Sequence, residues 1–251
     1  MEEKEEYNDK IISNQNKMES TSAKPTELPI SFHKIKGLTV RKRVDPTASS
    51  ARDSYQIQRI IKRTVKGKRL YFQIKMGNNV LYSTKMKGKR PDDPLPIAKG
   101  SEMHYSSEQF AGYLLRGNKH TIFSLRAQTT YGKELLSILF ESPNGDKSLP
   151  KKISVTFFLK DSLIPKKLIN LDPSINDDGY YELNFHNKQV IPSIKNCILV
   201  SEDNKCEFVT VRKVSEDLVE ADAVNIISPL AVFGIVLSLY EFSLSEKKAI
   251  S

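Results

Sequence analysis

The sequence predicts a mainly β fold, a closed antiparallel barrel or a sandwich, with one buried helix at the C-terminal end. Two observations carry this. From residue 55 onward, about ten short apolar or alternating runs are separated by Gly, Asn, Asp and Pro turns. The run Ile227–Leu244 is then apolar on nearly every face, and such a helix must be buried in protein or in lipid. A barrel with the helix threaded through its middle satisfies both.

Residues 1–50 are polar and poor in aromatics, with runs such as Asn14–Ser22, and are expected to be disordered; Phe32–Leu38 is a short candidate interaction segment. Residues 51–251 form the expected folded domain. Its first strands are Tyr55–Val65, Arg69–Lys75 and Val80–Lys87, the last two joined by Gly77-Asn78-Asn79 as a hairpin turn. Further strands are expected at 110–115, 120–126, 135–141, 152–159, 181–186, 190–200 and 206–213. Asn176-Asp-Asp-Gly179 has the composition of a turn.

For the helix, length decides between core and bilayer. Pro229 to Tyr240, before Glu241 interrupts, is 12 residues, roughly 18 Å at about 1.5 Å per residue. A bilayer core needs roughly 30 Å and about 20 apolar residues. Ser228 followed by Pro229 reads as an N-cap with proline at the first helical position. A core helix is therefore expected, and tail anchoring in a membrane is the alternative.

The N-terminus is acidic (Glu2, Glu3, Glu5, Glu6) and shows no signal-peptide pattern. The two cysteines, Cys197 and Cys206, flank a turn expected at Ser201–Lys205. A hairpin centred there sets Cys206 near Val200 and leaves Cys197 out of bridging reach. Two free thiols fit a reducing cytosol or nucleus.

The net charge of +9 is unevenly spread. Lys34–Arg90 holds 17 Lys/Arg against Asp45 and Asp53, a local net of +15, so the rest of the chain carries −6. Charge so concentrated fits a polyanionic partner, nucleic acid or the anionic inner face of a membrane. A merely solvated basic face is the plainer alternative.

Several C-terminal motifs point to a family. Asp178–His186, with its Leu-Asn-Phe-His, the strand Ser193–Val200, the run Val211–Asp217 and the helix Pro229–Leu239 resemble, in order, motifs of the tubby family's C-terminal domain. Glu134–Glu141 and Pro150–Val155 match more loosely. The likeness spans roughly residues 55–245 and implies a closed barrel of about twelve strands around a central C-terminal helix. It also implies binding of phosphatidylinositol 4,5-bisphosphate. The family's glycine after Asn-Phe-His is Asn187 here. The F-box of plant members and the intraflagellar-transport motif of some animal members are not found, so ciliary trafficking is not carried over.

The resemblance implies phosphate contacts from basic residues on one strand, where Lys85 and Lys87 fall, and from an arginine on a following strand, matched by Arg116. Lys85, Lys87 and Lys89 are spaced i, i+2, i+4 and share one sheet face if the strand runs that far. Lys89 and Arg90 assist. Where the family tends to place arginine, Lys87 offers a point charge instead of a fork. Lys62, Arg63, Lys66, Lys68, Arg69 and Arg41-Lys42-Arg43 form a candidate second layer. Diffuse attraction is worth about 1 kcal/mol per cation near an anionic surface, so four give about 4 kcal/mol, roughly millimolar. Recruitment therefore needs a shaped pocket with charge-assisted hydrogen bonds.

Catalytic signatures are missing from the sequence. His33, His104, His120 and His186 lack metal-ligand spacing. There is no Gly-x-Ser-x-Gly elbow and no Walker A loop. No cofactor or metal is expected. The expectation is a non-enzymatic, monomeric phosphoinositide-binding protein, cytoplasmic and peripheral at the plasma membrane. Its N-terminal region would be free to carry a protein cargo. The alternative is a nucleic-acid-binding or transcription-regulating protein that uses the basic 34–90 segment and enters the nucleus.

Overall fold

In the computed structural model, residues 51–65, 67–86, 93–101, 110–117, 121–141, 151–158, 166–203 and 205–250 are described, with side chains followed as far as Glu241. Residues 1–50, and with them the Phe32–Leu38 segment, lie outside the described residues. Twelve antiparallel strands close a barrel: β1 (Arg52–Thr64), β2 (Gly67–Met76), β3 (Asn79–Met86), β4 (Leu95–Lys99), β5 (Phe110–Arg116), β6 (Ile122–Ala127), β7 (Glu134–Glu141), β8 (Lys152–Phe157), β9 (Lys166–Asn170), β12 (Cys197–Ser201), β13 (Glu207–Lys213) and β14 (Leu218–Val224). Closure is made by β1, which pairs with β2 on one side and with β14 on the other. Between β9 and β12 the chain leaves the wall and forms a separate small hairpin, β10 (Ser174–Ile175) with β11 (Tyr181–Glu182).

Alternation builds the wall. Along β1, Tyr55 and Ile57 point inward, while Gln56 and Gln58 face solvent. Along β7, Leu136, Ile138 and Phe140 do the same between partly exposed neighbours. The β2–β3 turn holds Gly77 at φ 58°, the first central position of a two-residue hairpin loop, where glycine meets no Cβ penalty.

The lumen is filled by helix α1 (Pro229–Ile250). The Ser228 hydroxyl accepts the Ala231 N–H at 3.3 Å, so the cap expected at Ser228 is made. Leu230 to Glu241 are buried round the whole circumference. Gly234 lets the helix approach β6, since a Cβ there would lie 3.0 Å from Leu125 Cδ2. Ser238 satisfies its buried hydroxyl on the Ile235 carbonyl at 2.7 Å. Phe72 meets Tyr240 at 4.7 Å and Phe123 meets Phe140 edge-on at 5.7 Å. Among the described residues no helix is long and apolar enough to cross a membrane.

Two expected strands are cut short. Of 181–186 and 190–200 only Tyr181–Glu182 and Cys197–Ser201 are strands. His186 and Asn187 adopt φ 52° and 61°, a left-handed pair that no strand accommodates. Asn tolerates that conformation better than most non-glycine residues, which accounts for Asn187 at this turn. The Asn184 side chain accepts the His186 N–H. Phe185 turns onto Ile198 and Val200 in a small apolar cluster on the opposite face of β12 from the core residues Cys197 and Leu199. His186 thus lies in a turn and not on a strand. Conversely, β4, β9 and β14 are strands that the residue pattern does not single out. β4 carries Pro96, which lies outside its register with β3, where a missing N–H costs no ladder bond.

Candidate functional site

The first three strands bring the basic segment together. The β2–β3 register sets Tyr71 opposite Lys85, and the β1–β2 register sets Lys62 opposite Arg69 and Arg63 opposite Lys68. On β2, Phe72 and Ile74 fill the core, so Arg69, Tyr71 and Gln73 face outward. The Lys62 ammonium lies 5.3 Å and the Lys85 ammonium 6.0 Å from the centroid of the half-buried Tyr71 ring. One aromatic ring thus draws cations from strands on both sides, each contact worth about 0.5–1 kcal/mol at an exposed site.

Among the described residues, the cations gathered here lack the carboxylate partners that several others on the surface have. Elsewhere some cations meet carboxylates, such as Arg59 with Asp217 at 2.7 Å and Glu216 at 3.0 Å, Arg212 with Glu220 at 2.5 Å, and Lys188 with Asp222 at 2.8 Å. Lys62, Arg63, Lys68, Arg69 and Lys85 have no carboxylate partner among the described residues. Two like-charge pairs sit directly opposite on neighbouring strands, an arrangement unfavourable by roughly 0.2–1 kcal/mol per pair. An arriving polyanion would relieve that repulsion.

Of the residues expected to grip phosphate, the structure sets Lys85 in this cluster. Lys87, Lys89 and Arg90 lie outside the described residues, as do Lys66 and Arg41-Lys42-Arg43. Arg116 is placed differently. Its side chain is only 2% exposed; Nη2 lies 2.6 Å from Glu241 Oε1, and Nη1 donates to the Asp93 carbonyl at 3.2 Å. It joins β5 to the helix at the same barrel end that carries Lys85, with Glu241 already on its guanidinium.

Burial dominates two further titrations. It pushes the Cys197 thiol and the Tyr240 hydroxyl up to about 12. For Asp222 burial acts upward too, but hydrogen bonds from Lys188 and Ser54, with the charges of Lys188 and Arg212, outweigh it and hold the carboxyl below its ordinary value. Across the β12–β13 turn, the Ser201 N–H donates to the Cys206 carbonyl and the Cys206 N–H donates to the Ser201 hydroxyl. Cys206 therefore faces Ser201, one residue from the expected partner Val200, and neither cysteine is in a disulfide.

Neither a protein-family model nor a curated protein matches this chain. What the site can do is then a matter of its own chemistry. Among the described residues no group of three or more His, Cys, Asp or Glu could hold a metal. A large concavity of about 700 Å³, lined by Leu171, Phe185, Val190 and Pro192, lies beside β9 and β12, away around the wall from Tyr71. The sequence pattern gives Tyr71 no role and sets Lys62 only in a second layer, because strand register alone brings positions 62, 71 and 85 together.

Proposed function

We propose that the chain is a non-enzymatic, tubby-like phosphoinositide-binding domain that tethers reversibly to the cytosolic face of the plasma membrane through phosphatidylinositol 4,5-bisphosphate. The observation that carries this is the pair of ammonium groups, Lys62 and Lys85, around Tyr71 with no carboxylate to neutralise them among the described residues. Adjacent phosphates on one inositol ring present dense negative charge over a few ångströms, which matches cations gathered from neighbouring strands. Tyr71 keeps the two lysines near one point, so less side-chain entropy is lost on binding. The closed twelve-strand barrel with its helix inside is the architecture that the motif resemblance implies, and this also supports the proposal.

The test is co-sedimentation of the full chain with vesicles containing phosphatidylinositol 4,5-bisphosphate, against vesicles of equal charge made with phosphatidylserine. The bisphosphate vesicles should bind tighter, and Lys62→Ala/Lys85→Ala should abolish the difference. Binding that follows total charge alone would refute headgroup recognition. Tight, sequence-independent duplex binding with a steep salt slope, and no preference among lipids, would move the assignment to nucleic acid.

A further inference from the structure

The β1–β2 hairpin runs past the pairings described for its two neighbouring strands. Pairing of β1 with β14 stops at Gln58↔Leu218, and pairing of β2 with β3 stops at Leu70↔Met86 among the described residues. Beyond those points β1 and β2 continue as a two-stranded ribbon through Lys62↔Arg69, Arg63↔Lys68 and Thr64↔Gly67. Three residue pairs extend roughly 10 Å past the last described β2–β3 pair at about 3.4 Å per residue. The ribbon carries cations on both faces, since successive residues point to opposite sides. At its tip Val65 is fully exposed, and Ile61 at its base is 48% exposed.

We propose that this ribbon is a second membrane contact, a basic probe whose apolar tip enters the interfacial layer of an anionic bilayer. The inference rests on the lipid-surface function proposed above and adds an adjoining contact that shares Lys62 with it. Lysines on a free strand edge commonly prevent edge-to-edge aggregation, but that purpose disfavours an exposed valine at the end of the same strands. Cations above an apolar tip instead match a bilayer's layering, anionic headgroups over hydrocarbon. A nucleic-acid groove would accept the four cations but has no use for Val65. The ribbon leaves the same barrel end towards which Lys85 lies, so headgroup capture and tip insertion are compatible in one orientation.

The chain contains no tryptophan, so Val65→Trp places a single indole at the tip of the full-length protein. On vesicles of phosphatidylcholine with phosphatidylserine and phosphatidylinositol 4,5-bisphosphate, its emission should shift to the blue, and brominated lipid chains should quench it. Val65→Asp should weaken vesicle binding about tenfold, the order expected for losing one buried valine, with thermal stability unchanged. If the protein sediments with vesicles while the indole stays water-exposed and unquenched, the ribbon proposal fails and headgroup binding stands. If the indole is quenched equally on phosphatidylserine vesicles lacking phosphoinositide, the ribbon stands and headgroup recognition fails. If no vesicle binds, or the indole responds to duplex DNA alone, both are overturned.

Discussion

Arg116 on β5 and Glu241 on the C-terminal helix form a 2.6 Å ion pair with both side chains nearly sealed from solvent, at 2% and 8% exposure. It is the one charged tie between the barrel wall and the helix among the described ion pairs, and its energetics are asymmetric. Removing one partner strands the other as a buried charge, at a cost of about 3–5 kcal/mol, whereas replacing both with apolar groups is often neutral. Glu241→Ala should therefore lower the midpoint of urea unfolding sharply, and Arg116→Met/Glu241→Leu should restore it. That double variant also tests the role expected of Arg116 in phosphate binding. If it folds and still binds bisphosphate vesicles at wild-type affinity, Arg116 acts through the fold alone.

Lys62 and Lys85 should behave in the opposite way. Each has a like-charged or aromatic neighbour and no carboxylate partner among the described residues, so Lys62→Ala and Lys85→Ala should leave thermal stability within about 0.5 kcal/mol, as surface substitutions generally do. Vesicle affinity should drop about fivefold for each, matching about 1 kcal/mol per cation at an anionic surface. Losses in stability larger than losses in binding would point to a structural role for these lysines.

Phe233 is fully buried in the helix that fills the barrel. Phe233→Ala should cost about 3–5 kcal/mol. Phe233→Asp should abolish folding, since an unpaired carboxylate would enter the core. A folded Phe233→Asp variant with an unchanged melting temperature would contradict a helix inside the barrel.

Acid stability should depend on Asp222. Its folded-state pKa lies below the ordinary 3.8, so the unfolded chain takes up the proton first as pH falls. The stabilisation is complete above that ordinary value and is lost as pH drops through the folded-state pKa. Asp222→Asn should flatten the decline of melting temperature below about pH 4, and a decline of unchanged steepness would assign it to other carboxylates.

Thiol chemistry offers a simple check on the β12–β13 hairpin. The Cys197 thiol is buried and its pKa raised to about 12, so in native protein it should resist Ellman's reagent, which needs the thiolate. At most one thiol, that of Cys206, should react until denaturant is added. Two fast thiols would mean that β12 is open.

The sequence by itself determined the fold class and the central element. Strand-length apolar runs broken by turns, then twelve residues from Pro229 to Tyr240 too few to span a bilayer and apolar on every side, leave a barrel around a helix as the economical solution. Local chemistry also settled the Ser228 cap and the Gly77 turn, because both depend on neighbouring residues only. The tertiary structure decided what depends on register and on distant partners. It ended the strand expected over 181–186 in a left-handed turn at His186 and Asn187, and set Arg116 against a glutamate 125 positions away. It also brought Lys62, Tyr71 and Lys85 onto one outer face. A strand's side chains alternate with a period of two, so which residues meet across strands is fixed by pairing, and pairing is chosen by the closure of the whole barrel.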